Sequence, residues 1–222
     1  MIVEGFGIKL IRLKHEHIET VRIHRNSDAI RQYMEYRETI TPAMQEKWFE
    51  SVNNVHNNYF VLEYNHQLIG LVYGSKIDWE KSETGNGGIF IWDESFHATP
   101  VPLAATLLLL DLSFLLGLKK TSVKILSNNF RAIAFNRNLG YRKKEESPKT
   151  SDDDVTNEAY ELTEELYKAK AERFRIPFVR MHGDQIHMTL DTPGDASEQN
   201  IYSIYCAMPD DKKSRIVMNK LY

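Results

Sequence analysis

Cysteine is almost absent: the 222 residues contain one, Cys206. A lone thiol cannot form an internal disulfide, which fits a reducing compartment and a cytoplasmic protein. Set between Tyr205 and Ala207, Cys206 reads as a small buried hydrophobe rather than a nucleophile. An excess of positive charge is missing too. Lys and Arg number 28 against 31 Asp and Glu, a net charge of −3, so there is no electrostatic footprint for nucleic acid or an anionic membrane. Long apolar runs are missing as well. The most apolar stretch, Leu103 to Leu118, is interrupted by Asp111 and falls short of the roughly 20 residues a membrane span needs. It reads as a buried helix. Met1 to Gly5 lacks a basic region ahead of an apolar run, so no signal peptide is expected, and no internal repeat is visible. What remains is a chain long enough for one α/β domain and an appendage.

The local pattern divides that length into elements. Gly7 to Leu13 alternates apolar and polar residues as a first strand does. A helix follows with Ile18, Val21 and Ile23 on its apolar side, and a short second helix is expected over Asp28 to Tyr36. Thr41-Pro42 supplies an N-cap and a proline at the first position of a third helix, through Met44, Trp48, Phe49 and Val52. Tyr59 to Tyr64 and Gln67 to Tyr73 flank Asn65-His66 as a hairpin flanks its turn. A polar excursion, Asp78 to Gly88, precedes a strand from Ile89 to Trp92. After the apolar helix come a strand over Ser122 to Leu126, a short helix over Phe130 to Asn138 and a strand opening at Tyr141. Glu145 to Asn157 reads as a charged, Ser-rich loop and Glu158 to Leu162 as a last strand. Beyond Glu164 the pattern predicts an amphipathic helix to Arg175. A hairpin follows, of Ile176 to Arg180 and Gln185 to Leu190 about His182-Gly183-Asp184. Then come an extended Ile201 to Met208 and a terminal helix opening at Pro209-Asp210-Asp211. His182 and His187 lack a third ligand with closed geometry, so no metal site is assigned.

This order, strand, two helices, hairpin and then strand–helix–strand–helix–strand, resembles the GNAT acetyltransferases. It is closest to the branch of ribosomal-protein N-terminal and nucleotide-amino-sugar N-acetyltransferases. The residues carrying the likeness are His24-Arg25-Asn26 with Ile30-Arg31 and Tyr33-Met34, and Ile40-Thr41 with Gln45, Trp48 and Phe49. Tyr59-Phe60-Val61 with Leu68-Ile69-Gly70, and Asp111 with Phe114 and Gly117-Leu118, continue it. Asn129 with Ala132-Ile133 and Leu139-Gly140-Tyr141 closes it. The resemblance spans residues 7 to 165. It implies an α/β fold with a mixed, mostly antiparallel central sheet, a splayed parallel strand pair and flanking helices. Residues 1–165 would form the acyltransferase domain and 166–222 a small C-terminal extension. Its apolar Ile201, Tyr202, Ile204, Tyr205, Ile216 and Val217 need cover, on the main domain or in a homodimer.

The resemblance also implies a chemistry: transfer of an acetyl group from acetyl-CoA to a primary amine by direct attack. The acceptor would be a small molecule, a nucleotide amino sugar or a protein N-terminus. Backbone groups at Ile91 and Trp92 would pair with the pantetheine arm as an added strand does, one amide facing the oxyanion. The pyrophosphate would rest at the start of the Leu103 to Leu118 helix, on amides of Ala98, Thr99, Val101 and Leu103 with His97 beside them. Asn129 and Phe135 would contact the cofactor arm, Asn129 also being a natural N-cap. Arg25, Asn26 and Tyr33 would cover the acceptor, though Arg25 and Asn26 equally suit a helix C-terminus. Among Asp78, Glu80, Asp93 and Glu94, the preferred bases are Asp93 and Asp78.

Two departures from that family leave a second reading open. The family's Gln/Arg-x-x-Gly-x-Gly/Ala loop falls on His97, Pro100 and Pro102; glycine lets a backbone approach phosphate closely, whereas each proline deletes a donor. The family's frequent Tyr general acid falls on Asn136. A catalytically silent GNAT-like domain used for binding or assembly is the alternative.

Overall fold

The computed structural model describes residues 1–34, 36–145, 156–192 and 194–221. Two short strands open the chain, β1 (Ile2–Gly5) and β2 (Ile8–Arg12), paired antiparallel. The helices α1 (Ile18–Arg25), α2 (Asp28–Arg31) and α3 (Pro42–Val52) follow. Thr41 caps α3, its hydroxyl accepting from the amide of Met44 at 3.3 Å, with Pro42 where its missing N–H costs nothing. The strands β3 (Asn57–Tyr64) and β4 (Gln67–Asp78) form the expected hairpin. Asn65 and His66 turn it with φ of 49° and 62°, the left-handed pair that a two-residue turn needs.

Strand β5 (Glu83–Ile91) leads through a short turn into α4 (Val101–Leu115), which crosses to β6 (Lys120–Leu126). A crossover helix returns the chain parallel, and β5 and β6 are indeed a parallel pair. Helix α5 (Phe130–Leu139), β7 (Arg142–Lys143) and β8 (Asn157–Thr163) complete this half. Gly140 ends α5 with φ of 107°, and a Cβ there would lie 3.0 Å from the carbonyl of Leu166. Only glycine fits that cap.

The remaining elements are α6 (Glu164–His182), β9 (Ile186–Leu190), α7 (Ala196–Ala207), α8 (Asp210–Lys213) and β10 (Ile216–Lys220). They do not form a separate layer. One sheet runs β10-β9-β1-β2-β3-β4-β5-β6-β8-β7, antiparallel except at β5–β6 and β9–β10. Side chains alternate between its faces. Phe60, Leu62, Ile69 and Val72 join the larger core under α4, α5 and α6. Val61 and Leu71 join a smaller one under α1 and α3. Helix α4 is apolar nearly all round because it is covered all round, and among the described residues no helix is long and apolar enough to cross a membrane.

Within α4, Asp111 is the exception, 3% exposed. Its Oδ1 accepts from the Tyr167 hydroxyl at 2.5 Å. Its Oδ2 accepts from Arg175 Nε at 2.7 Å and from Arg215 at 3.1 Å. Both guanidinium groups also meet Asp184. Burial, and then the Asp111 charge, push the Tyr167 phenol well above its ordinary value. The network binds α4 to α6 and to the residue that opens β10.

Several local expectations change. Residues 2–5 form a strand ahead of the first one expected. The segment Asp78 to Gly88 is no excursion: β5 starts at Glu83, its Gly-rich first half held by backbone pairing to β4. Helix α2 stops at Arg31. Ile23 is 54% exposed, not packed. Ile176 to Arg180 is no hairpin strand, since α6 runs on through Pro177 to His182. Arg175 is held by Asp111, while Phe178 and Val179 pack on the core, which outweighs the proline's lost bond. The strand over 186–190 pairs with β1 and β10 instead. Ile201 to Met208 is helical, not extended: Asp195 and Glu198 exchange bonds in a capping box, a start signal. Cys206 lies exposed on that helix. Ile201 and Ile216 are buried and Tyr202, Ile204 and Tyr205 pack on the core, so most of the apolar surface that needed cover, Val217 apart, is covered within the chain. Most of the charged loop over Glu145 to Asn157 lies outside the described residues, as does Pro193.

Breaking a buried pair strands the other charge, at a cost of about 3–5 kcal/mol. Asp111→Ala is expected to lose about that much in denaturant unfolding, and Arg175→Ala less, because Tyr167 and Arg215 still meet Asp111. The double variant loses less than the sum, because one interaction is removed twice.

Candidate active site

Strands β5 and β6 pair through their backbones only at their start. Glu83 pairs with Lys120 and Thr84 with Thr121; beyond these the strands part. Trp92 donates its amide to the carbonyl of Ile69 at 2.9 Å. By strand alternation, Ile91, Ile89 and Gly87 therefore turn their backbone groups away from β4 and into the gap. The side chain of Asn86 reaches across it, Oδ1 accepting from the amide of Lys124 on β6 at 3.2 Å. Gly87 keeps the gap passable near its vertex, where a Cβ would lie 3.6 Å from the carbonyl of Ser122.

The mouth of the gap lies between the starts of α4 and α5. Asp93 opens the turn before α4, its Oδ1 accepting from the amide and hydroxyl of Ser95 at 3.0 and 2.6 Å. His97 folds back, Nε2 donating to the carbonyl of Ile91 at 2.9 Å. Thr99 gives its amide to the carbonyl of Phe96, and its hydroxyl oxygen accepts from the amide of Val101 at 3.3 Å. Of the four amides expected to face an anion, Ala98 and Leu103 are left over. On the other wall, Asn129 caps α5 by accepting from the amide of Ala132 at 3.1 Å, and Phe135 packs against the core. Arg131 spans the mouth and donates to the carbonyl of His97 at 2.5 Å.

The face under α1 and α3 holds groups that sequence reasoning missed. Tyr59 and Tyr73 stack at 4.8 Å and 11°. The Tyr73 ring lies over Gly88, where a Cβ would be 2.9 Å from its hydroxyl. Arg25 is half-buried beside both rings; burial pulls it below its ordinary value, and its Nε has no hydrogen-bond partner among the described residues. The trace of this in the sequence is slight: Tyr59 and Tyr73 each stand two residues from a core position, Val61 or Leu71, on the same face. Asn26 is occupied differently, its amide exchanging two bonds with Ile40, at 2.9 and 2.8 Å. Tyr33 is 54% exposed. His24 stacks on Trp92 at 4.6 Å and 4°, fixing α1 against the end of β5.

Asp93 and Asp78 are not brought together. Asp78 pairs with Glu83 at the closed end of the gap, about 26 Å along β5 from Ile91 at ~3.3 Å per residue. Hydrogen bonds from the Lys81 backbone and ammonium hold its carboxyl below the ordinary range. It lines an open recess of about 550 Å³ with His56, Lys76, Ile77, Trp79 and Glu80.

No protein-family profile and no curated protein sequence matches the chain. Solved structures do match. Spermidine N-acetyltransferase from Vibrio cholerae, in complex with CoA and spermine, gives a TM-score of 0.64 at 17% identity, over 73% of this chain and 98% of that one. RimL, a ribosomal L7/L12 alpha-N-protein acetyltransferase in complex with coenzyme A, gives 0.64 at 12% identity over the same shares. A domain from Methanocaldococcus jannaschii gives 0.60 at 19%, over 70% and 97%. At these identities the likeness is one of fold. The chain has the GNAT acetyltransferase fold that its motifs resembled, with about a quarter of its length outside the match.

Burial holds His24 and His17 below the ordinary imidazole value of 6.5. Burial favours the neutral form of each in the folded protein, so protonation favours the unfolded chain as pH falls below 6.5. Unfolding free energy is therefore expected to decline between pH 6.5 and about pH 5, above the ordinary carboxylate range. His24→Gln should flatten that decline in denaturant titrations.

Proposed function

We propose that the protein is an acetyl-CoA-dependent N-acetyltransferase that passes an acetyl group to a primary amine by direct attack in a ternary complex. One observation carries the reading. The β5–β6 gap has backbone groups of Gly87, Ile89 and Ile91 turned into it, with the start of α4 at its mouth. Such an edge suits an extended arm bearing amides, which binds as a strand would. Two neighbours on this fold, a spermidine N-acetyltransferase and RimL, are acetyltransferases in complex with CoA. Acetyl-CoA supplies the activated acyl group; the residues supply placement and proton handling.

In this reading Gly87, Ile89 and Ile91 align the arm, and an amide of this run stabilises charge on the thioester oxygen. Asn129 and Phe135 flank the arm from α5, and Ala98, Thr99, Val101, Leu103 and His97 frame its anionic end. Arg25 with Tyr33 and the stacked tyrosines receives the acceptor, on the face where Tyr73 crosses Gly88. The Tyr73 hydroxyl holds the proton that the departing thiolate needs, a role Asn136 cannot fill, its amide being donated to Ala132. Asp93, at the open end, is the carboxylate placed to take a proton from the amine through water; Trp92 positions it. Asp78 belongs to the recess at the far end and has no part in this assignment. The acceptor classes are those the neighbours suggest, a polyamine or a protein N-terminus, together with an amino sugar nucleotide.

The donor-poor loop favours a second reading, a GNAT-like domain that binds or assembles without catalysis. Millimolar acetyl-CoA is expected to raise the melting temperature, and a panel of polyamine, amino sugar nucleotide and peptide amines should include one that releases free thiol. Absence of any thermal shift contradicts the proposal. A shift with no transfer to any amine supports the silent domain. Tyr73→Phe is expected to lower kcat about 10- to 100-fold, with thioester affinity unchanged in isothermal titration.

A further inference from the structure

Accepting the cofactor reading above, we infer that Arg131 is the residue that binds the diphosphate of CoA, standing in for the donors the α4 loop lacks. The reasoning begins with charge. Between Lys81 and Lys119 the chain has no lysine or arginine, so the whole β5–α4 unit brings no cation to an anion at its mouth. It brings Asp93, partly exposed, and Glu94, exposed, in the turn ahead of α4 instead. A dianion there meets repulsion unless a cation arrives from elsewhere.

Backbone donors do not make up the difference. Pro100 and Pro102 have no N–H. The amides of Thr99 and Val101 are already paired within the loop. The His97 ring nitrogen is turned back onto the carbonyl of Ile91. Ala98 and Leu103 remain, too few for the cradle of successive N–H groups that holds a phosphate by backbone alone.

Arg131 supplies what is missing. It sits in the first turn of α5, on the opposite wall, and its guanidinium already reaches the loop, donating to the carbonyl of His97 at 2.5 Å. Two residues separate His97 from Pro100, the N-cap of α4. A guanidinium has five donors in a planar fork and serves a phosphate oxygen while keeping its loop contact. Neighbouring Phe130 is 76% exposed at the same edge, and Arg131 itself is exposed.

The test uses the full chain and isothermal titration with CoA and with dephospho-CoA, which lacks the 3′-phosphate but keeps the diphosphate. Arg131→Gln retains a donor for His97 and loses the charge; Arg131→Ala loses both. Both variants are expected to weaken CoA and dephospho-CoA alike, about 10- to 100-fold, with a shallower salt dependence than the parent. Arg131→Lys should recover part of the loss. Wild-type affinity in Arg131→Gln overturns the inference and leaves a loop latch. Weakening for CoA alone also overturns it, moving the contact to the 3′-phosphate. Failure of the parent protein to bind either ligand removes the cofactor reading itself, a result distinct from both.

Discussion

The carboxylate of Asp111 is the constraint on which the rest of the molecule depends. It lies in the middle of a helix that is otherwise apolar on every side, where an unpaired charge would cost several kcal/mol. Arg175, Arg215 and Tyr167 meet it from the C-terminal quarter of the chain. All three lie beyond residue 165, where the motif likeness ends. The helix carrying the carboxylate is also the one whose start sets the mouth of the β5–β6 gap. The extra segment and the candidate site are thus coupled through one buried charge.

The splay of β5 and β6 follows from the same helix. Two residue pairs join the strands, after which α4 must leave one and re-enter the other with the core beneath it. The smaller core on the opposite face needs no such crossover. Its helices close over Tyr59, Tyr73 and Trp92, which leaves a guanidinium, two phenols and an imidazole–indole stack on that face. The separation of chemistry by face comes from strand alternation rather than from any motif.

Legibility in the sequence followed the range of the interaction. Thr41-Pro42, Asn65-His66 and Gly140 act on neighbours a few residues away, and each was readable because the required conformation selects the residue. Helix α4 was readable because composition alone demands burial. The Gly-rich start of β5 was not, since backbone pairing to β4 leaves no side-chain signature. Continuation of α6 through Pro177 was hidden as well. It rests on Arg175 meeting a residue 64 positions earlier, and no local pattern reports that. The site divides in the same way: Asn129 was visible as a cap, whereas Arg131 meets a carbonyl 34 residues away, and Tyr73 matters for where its ring falls.

The amide of Asn86 has a consequence for traffic through the gap. It already occupies the position of a bridging strand, pairing with the Lys124 amide on the far wall. An arm that reaches as deep as Asn86 must exchange that bond for one of its own, so entry to that depth is a substitution and not the filling of a vacancy. A ligand with an amide at the right depth repays the exchange; a plain hydrocarbon arm leaves a backbone donor unmatched. At that depth an arm would be sorted by what it is made of before its terminal group is read at all.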